Sequence, residues 1–228
     1  MTEFVEYVAQ NVATLAFYAQ QHFLLVLYSV CSATAIAVAL GVLLHTNDLT
    51  PPSWRRQLRA GSRESALLIA SAALTIPSMA LFGILQPALG LGATPSLVAL
   101  TIYGVYPVLR NTVAGLASVD PAVLDAARGM GLGPGRRMVQ VQFPLAWPVI
   151  VSGIRVGTLI LIGIAVVAAI VSGPGFGQPL FSGLARLGAV NSFNQVLAGT
   201  LGCLVVAAVY EIIFFVIQRL TTPRGIRV

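Results

Sequence analysis

The chain has 228 residues, 57% of them hydrophobic and only 9% charged, with a mean hydropathy of +0.89. That excludes an ordinary soluble domain, which cannot hide so much apolar surface from water. The net charge of +6 rests on arginine alone, there being no lysine; the arginines cluster at the ends of long apolar stretches, where membrane orientation and anionic headgroups account for them, and nucleic-acid binding is set aside.

In chain order, "MTEFVEYVAQNV" opens acidic, without the basic region and small-residue cleavage site of a secretory signal. Residues 1–22 are expected to form an extracytoplasmic amphipathic segment, with Phe4, Val8 and Val12 at helical spacing. Five mostly apolar stretches follow at 23–44, 66–85, 96–117, 149–171 and 196–217. Each is close to the about 20 residues that cross the hydrocarbon as a helix. The expected architecture is an all-α integral membrane protein with five transmembrane helices in one domain over 23–217. A loop at 118–148 and a C-terminal tail at 218–228 complete it.

Arg55, Arg56, Arg59 and Arg63 follow the first span, Arg128, Arg136 and Arg137 the third, and Arg219, Arg224 and Arg227 the fifth. The opposite side carries Arg186 and the acidic Glu3 and Glu6. Short cytoplasmic loops hold the excess of arginine, so the N-terminus is expected outside, the C-terminus inside, and loops 45–65 and 118–148 in the cytoplasm.

Within the spans, His22 and His45 bracket the first as interfacial residues, and Cys31 and Cys203 are expected to be buried packing thiols. Pro77 frees a backbone carbonyl and kinks the second span, with the Ser78 hydroxyl beside it. Tyr103, Tyr106, Pro107 and Asn111 form a second polar cluster on the third. Polar groups in a bilayer are costly, which marks Pro77, Ser78, Tyr106 and Asn111 as a candidate translocation pathway, although helix packing uses such groups too. Arg110 and Arg155 are placed to snorkel at span ends, and Glu211 receives no role. "GPGFG" at 173–177 lacks the Lys-Ser/Thr of a phosphate-binding loop and is expected to be a turn ending the fourth span. There is no catalytic or metal-binding motif and no cofactor is expected in this chain, so any ATP is bound by a partner.

The remaining stretch, "DAARGMGLGPGRRMVQVQFP" at 125–144, interrupts the apolar chain with three arginines and a Gly-Pro-Gly turn. Asp120-Pro121 is a helix start, an N-cap carboxylate followed by proline at the first helical position, and Val119 and Leu124 are spaced as a hydrophobic staple. Gly129 or Gly131 supplies the left-handed residue that stops the helix, and Pro144 and Pro148 punctuate the return to the bilayer.

The spacing resembles the cytoplasmic loop motif of bacterial ABC importer permeases, Glu-Ala-Ala, three residues, Gly, nine residues, Ile-x-Leu-Pro. Here Asp125-Ala126-Ala127 is followed by three residues to Gly131 and nine to Val141, with Phe143 and Pro144 closing it. Asp for Glu, Val for Ile and Phe for Leu are mild departures. "QQHFLLVLYSV", "LTIPSMALFGIL", "IYGVYPVLRNTVAGL" and "GIRVGT" are similar to permeases importing glycine betaine, choline, carnitine and related osmoprotectants; methionine permeases share the five-span plan. The resemblance implies the type I ABC importer permease fold in a bacterial plasma membrane. It also implies a complex of two permease chains, identical or different, with two ATP-binding cassette subunits and an extracytoplasmic solute-binding protein. Asp125 would position a coupling helix on the ATPase, Ala126 and Ala127 would allow close approach, and Gly131 would fix the helix end. A bulky residue at Ala127 is therefore expected to break ATPase association without harming the fold. A methionine or other amino-acid importer, and a secondary carrier or channel, are the alternatives.

Overall fold

The computed structural model describes residues 2–46 and 53–221. All regular structure among them is helical. In order these are α1 (Thr2–Gln10), α2 (Val12–Thr46), α3 (Ser53–Thr75), α4 (Ser78–Leu89), α5 (Ala93–Ala117), α6 (Pro121–Gly129), α7 (Pro134–Arg137), α8 (Phe143–Val167), α9 (Gly177–Ala185) and α10 (Ser192–Thr221). A π turn, Met138–Gln142, joins α7 to α8, and a 3-10 turn, Ala168–Val171, ends α8. Four helical stretches among the described residues are long and apolar enough to cross a membrane, and counting the bent pair formed by the end of α3 and α4 as one span gives five.

Three boundaries differ from the sequence expectation, each for a local reason. The first span begins eleven residues early, at Val12, because Thr14, Gln20 and Gln21 lower hydropathy without breaking a helix. Only Asn11 separates α1 from α2; its side-chain Nδ2 donates to the Tyr7 carbonyl at 2.8 Å, competing with the backbone ladder. The amphipathic segment is thus confined to α1, where Phe4 and Val8 are half-buried while Val12 is 58% exposed. The second span is broken rather than kinked, turning through 94° between Thr75 and Ser78. Pro77 takes an extended conformation, φ −57° and ψ 131°, and proline disfavours the helical region for the β-branched Ile76 before it. The fourth span does not begin at residue 149, since helical structure runs on from Pro134 through the π turn.

The chain divides into two compact units, and α2, α5, α8 and α10 each contribute to both. The first holds residues up to Ser32, Ile76–Gly104 and Thr158–Ile213. Val26, Phe82, Leu100, Leu161 and Phe176 form its interior. Here α2 and α10 are tied by Tyr210, whose hydroxyl donates to the Phe23 carbonyl at 2.8 Å while its ring stacks on Phe23 at 4.7 Å. The turn at 172–176 is packed inside this unit and is no plain surface turn. Gly175, at φ +111°, lies so close to His22 that a Cβ would meet Nδ1 at 2.8 Å, and Gly202 makes room for the Phe176 ring. His22 is fully buried within this unit, its Nε2 3.2 Å from the Ile162 carbonyl. Cys31 is exposed and Cys203 half-buried, which corrects the expectation of two buried thiols.

The second unit holds Ala33–Thr75, Val105–Gly157 and the end of α10 from Phe214. Ala37 on α2 packs with Val108, Leu109 and Val113 on α5. Leu116 packs with Met138, Ala146 and Ile150 at the start of α8. Glycines set the helix spacing here. A Cβ on Gly41 would meet Thr112 at 2.6 Å, and one on Gly115 would meet the Ala146 carbonyl at 3.0 Å. Close approach of backbones is what small residues provide where lipid supplies no hydrophobic drive between helices.

Candidate coupling site

The loop 118–148 belongs to the second unit and begins as the sequence predicts. The Asp120 carboxylate accepts from the Ala122 N–H at 2.8 Å and Pro121 occupies the first helical position, so two of the orphan donors at the start of α6 are accounted for. Val119 is buried and Leu124 half-buried, the two positions of the staple. The stop is supplied by Gly131, at φ +81°, and not by Gly129, which is still helical. Leu132 N–H donates to the Ala127 carbonyl at 3.1 Å and Gly131 N–H to the Arg128 carbonyl at 3.0 Å. This paired return closes a helix end around a left-handed residue.

The two alanines of the motif separate. Ala126 is exposed, beside exposed Asp125, whereas Ala127 is only 1% exposed. On α6 the inward stripe is Leu124 and Ala127, spaced three apart, and α6 rests on α7 and the π turn. Ala127 therefore packs within its own chain, while Ala126 is left on the outward face. Sequence spacing placed both alanines on the helix, but which of two neighbours turns inward depends on the packing of the following hairpin. The outward face also carries Val123 at 41% and Met130 at 75% exposure, two apolar residues the motif did not single out. Exposed Arg128 and Arg136 flank them.

Pro144 is the second residue of α8. Having no N–H, it gives nothing to the Gln140 carbonyl, and the preceding Phe143 N–H reaches back to the Met138 carbonyl, the i to i+5 bond of a π turn. Gln142, the last residue of that turn, is fully buried.

The candidate pathway residues fall in both units and are described within each. Pro77 is exposed and Ser78 half-buried in the first unit, at the break between α3 and α4. Tyr103 is nearly buried there, and its hydroxyl donates to the Ile76 carbonyl at 2.7 Å, satisfying the acceptor that the break exposes. Tyr106 and Asn111 lie in the second unit. Tyr106 is half-buried and accepts from Arg110 at 3.2 Å. Asn111 donates to the Pro107 carbonyl at 2.8 Å and its side chain lies tight against Gly153, so packing accounts for it within this chain. A recess of ≈ 500 Å³ lies in the first unit, lined by Glu3, Glu6, Tyr7, Gln10 and residues 189–194, none of them predicted for coupling or passage.

Five apolar spans interrupted by a capped helical hairpin define a membrane permease of the type I ABC importer fold. The fold is shared with a chain of the MetNI methionine ABC transporter solved in inward-facing conformations, at a TM-score of 0.77 and 19% identity, over 92% of this chain and 96% of that one. Residues 54–226 match the binding-protein-dependent transport system inner membrane component family, and the chain belongs to it as a multi-pass protein of the bacterial inner membrane. It is similar along its whole length to the choline transport system permease protein OpuBB of Bacillus subtilis, 32% identical over 100% of this chain and 97% of that one. The osmoprotectant import permease protein OsmW of Salmonella typhimurium is 33% identical over 98% of this chain and 99% of its own. The glycine betaine/carnitine/choline transport system permease protein OpuCB of Bacillus subtilis is 30% identical over 100% and 97%.

Proposed function

We propose that this chain is the transmembrane subunit of an ATP-driven importer of osmoprotectants of the glycine betaine, choline and carnitine type. ATP is bound and hydrolysed by partner cassette subunits; a solute-binding protein delivers the solute outside; a second permease chain completes the passage. The observation that carries the coupling role is α6, a short helix capped at both ends that presents Asp125, Ala126, Val123 and Met130 outward. A helix fixed at both ends by its own hydrogen bonds moves as a body, and small and apolar outward residues suit a groove on a partner. Full-length similarity to permeases named for choline and osmoprotectants supports the solute class.

The chain contributes no chemistry of its own. Its energy enters through linkage: nucleotide binding shifts the permease only if its two states bind the loaded ATPase with different affinity. Alternating access then follows movement of α6. The class alternative, a carrier or channel that works alone, is decided by uptake in cells with and without the co-expressed cassette subunit. Uptake that vanishes when the cassette subunit carries a disabled phosphate-binding lysine is expected; uptake that persists at full rate contradicts the assignment.

A further inference from the structure

Three polar atoms at the foot of the loop have no protein partner although they are buried: Nε of Arg137, and Oε1 and Nε2 of Gln142. Gln142 is 0% exposed, so neither the ATPase nor a second permease reaches it in this arrangement. A buried amide with both ends unmade is destabilising, and such groups call for an explanation in each instance. Both residues flank one irregular element. Arg137 immediately precedes the π turn Met138–Gln142, and Gln142 is its last residue. A π turn holds one residue more than an α-helical turn closed by the same ends, and such turns concentrate at functional sites.

The position of this element matters. α6 packs on both α7 and the π turn, while Met138 in the turn packs with Leu116, Ala146 and Ile150 of the adjoining spans. Any movement of α6 would therefore reach α8 through the π turn Met138–Gln142. Pro144 withholds an N–H from the Gln140 carbonyl and so holds the irregularity next to the start of α8. A shift of the extra residue along the helix would offer a second arrangement, in which the buried side-chain atoms of Gln142 and Arg137 that lack partners could acquire them. Coupling needs such a two-state element.

We propose that the π turn Met138–Gln142 is a two-register relay between α6 and α8, and that Gln142 is the positioning residue that selects its register. This rests on α6 being the ATPase-docking helix, and the test separates the two ideas. The whole complex, with cassette subunits and binding protein, is reconstituted in proteoliposomes, and ATP hydrolysis and solute uptake are measured together for wild type, Gln142→Met and Gln142→Glu. Methionine keeps the volume and removes both polar ends; glutamate keeps an acceptor. For Gln142→Met, full association with the cassette subunits, thermal stability equal to or above wild type, and uptake per ATP hydrolysed reduced about tenfold are expected. Gln142→Glu should recover most of the uptake per ATP. If Gln142→Met transports with wild-type efficiency, or if both variants fail to assemble, Gln142 is a packing residue and the relay is overturned. If the wild-type permease itself does not bind the cassette subunits, the docking role of α6 fails instead.

Discussion

At the residue scale, the proposed coupling role turns on the opposite faces that Ala126 and Ala127 take on α6. Ala127 is 1% exposed on the inner face of α6, so Ala127→Trp overfills a packed site. It should cost about 1–3 kcal/mol or more, lowering the melting temperature and the yield of the purified permease. Ala126→Trp points outward and should change stability by no more than about 0.5 kcal/mol, yet reduce co-purification of the cassette subunit severely. The reverse pattern, a stable Ala127→Trp that fails to bind and an Ala126→Trp that binds normally, would place the partner on the other face of α6. At this scale the sequence was partly legible. Asp120, Pro121 and Gly131 act through the backbone next to them, which local chemistry dictates, and they are found in their expected roles. The fates of Ala127, His22 and Asn111 depend on residues more than 20 positions away or on a separate helix, and spacing alone does not contain them.

At the element scale, the break between α3 and α4 shows where hydropathy stops informing. An apolar stretch at 66–85 reads as one span, and the Pro77 signal says only that the helix is disturbed. The 94° turn and the packing of Leu81 and Phe82 into the first unit come from tertiary contacts. Tyr103 holds that break through its 2.7 Å hydrogen bond to the Ile76 carbonyl. Tyr103→Phe leaves a carbonyl without its donor and should destabilise the permease by about 1–3 kcal/mol, read as a lowered melting temperature in detergent. An unchanged melting temperature would show that the α3–α4 break stands without Tyr103. The first span makes the complementary point: α2 runs 35 residues, about 52 Å at 1.5 Å per residue, well beyond the about 30 Å hydrocarbon core. Its N-terminal turns are polar enough to escape a hydropathy window and still helical.

At the scale of the whole molecule, we propose from the arginine distribution that α6 lies in the cytoplasm and α9 outside. Ser118 and Ser182 are both exposed. In a background lacking Cys31 and Cys203, Ser182→Cys should react with a membrane-impermeant thiol reagent on intact cells and Ser118→Cys should not; the opposite labelling would invert the topology. The five-span plan was legible because a bilayer imposes length and charge rules on any sequence that crosses it, whereas the solute is chosen by side chains whose arrangement no such rule fixes. The most direct test is ATP-driven uptake by the reconstituted complex of this permease with its cassette subunits and binding protein, offered radiolabelled glycine betaine, choline, carnitine and methionine side by side. Uptake of at least one quaternary ammonium solute, with methionine at background, is the expected result; ATP-dependent uptake of methionine with all three osmoprotectants at background would contradict it.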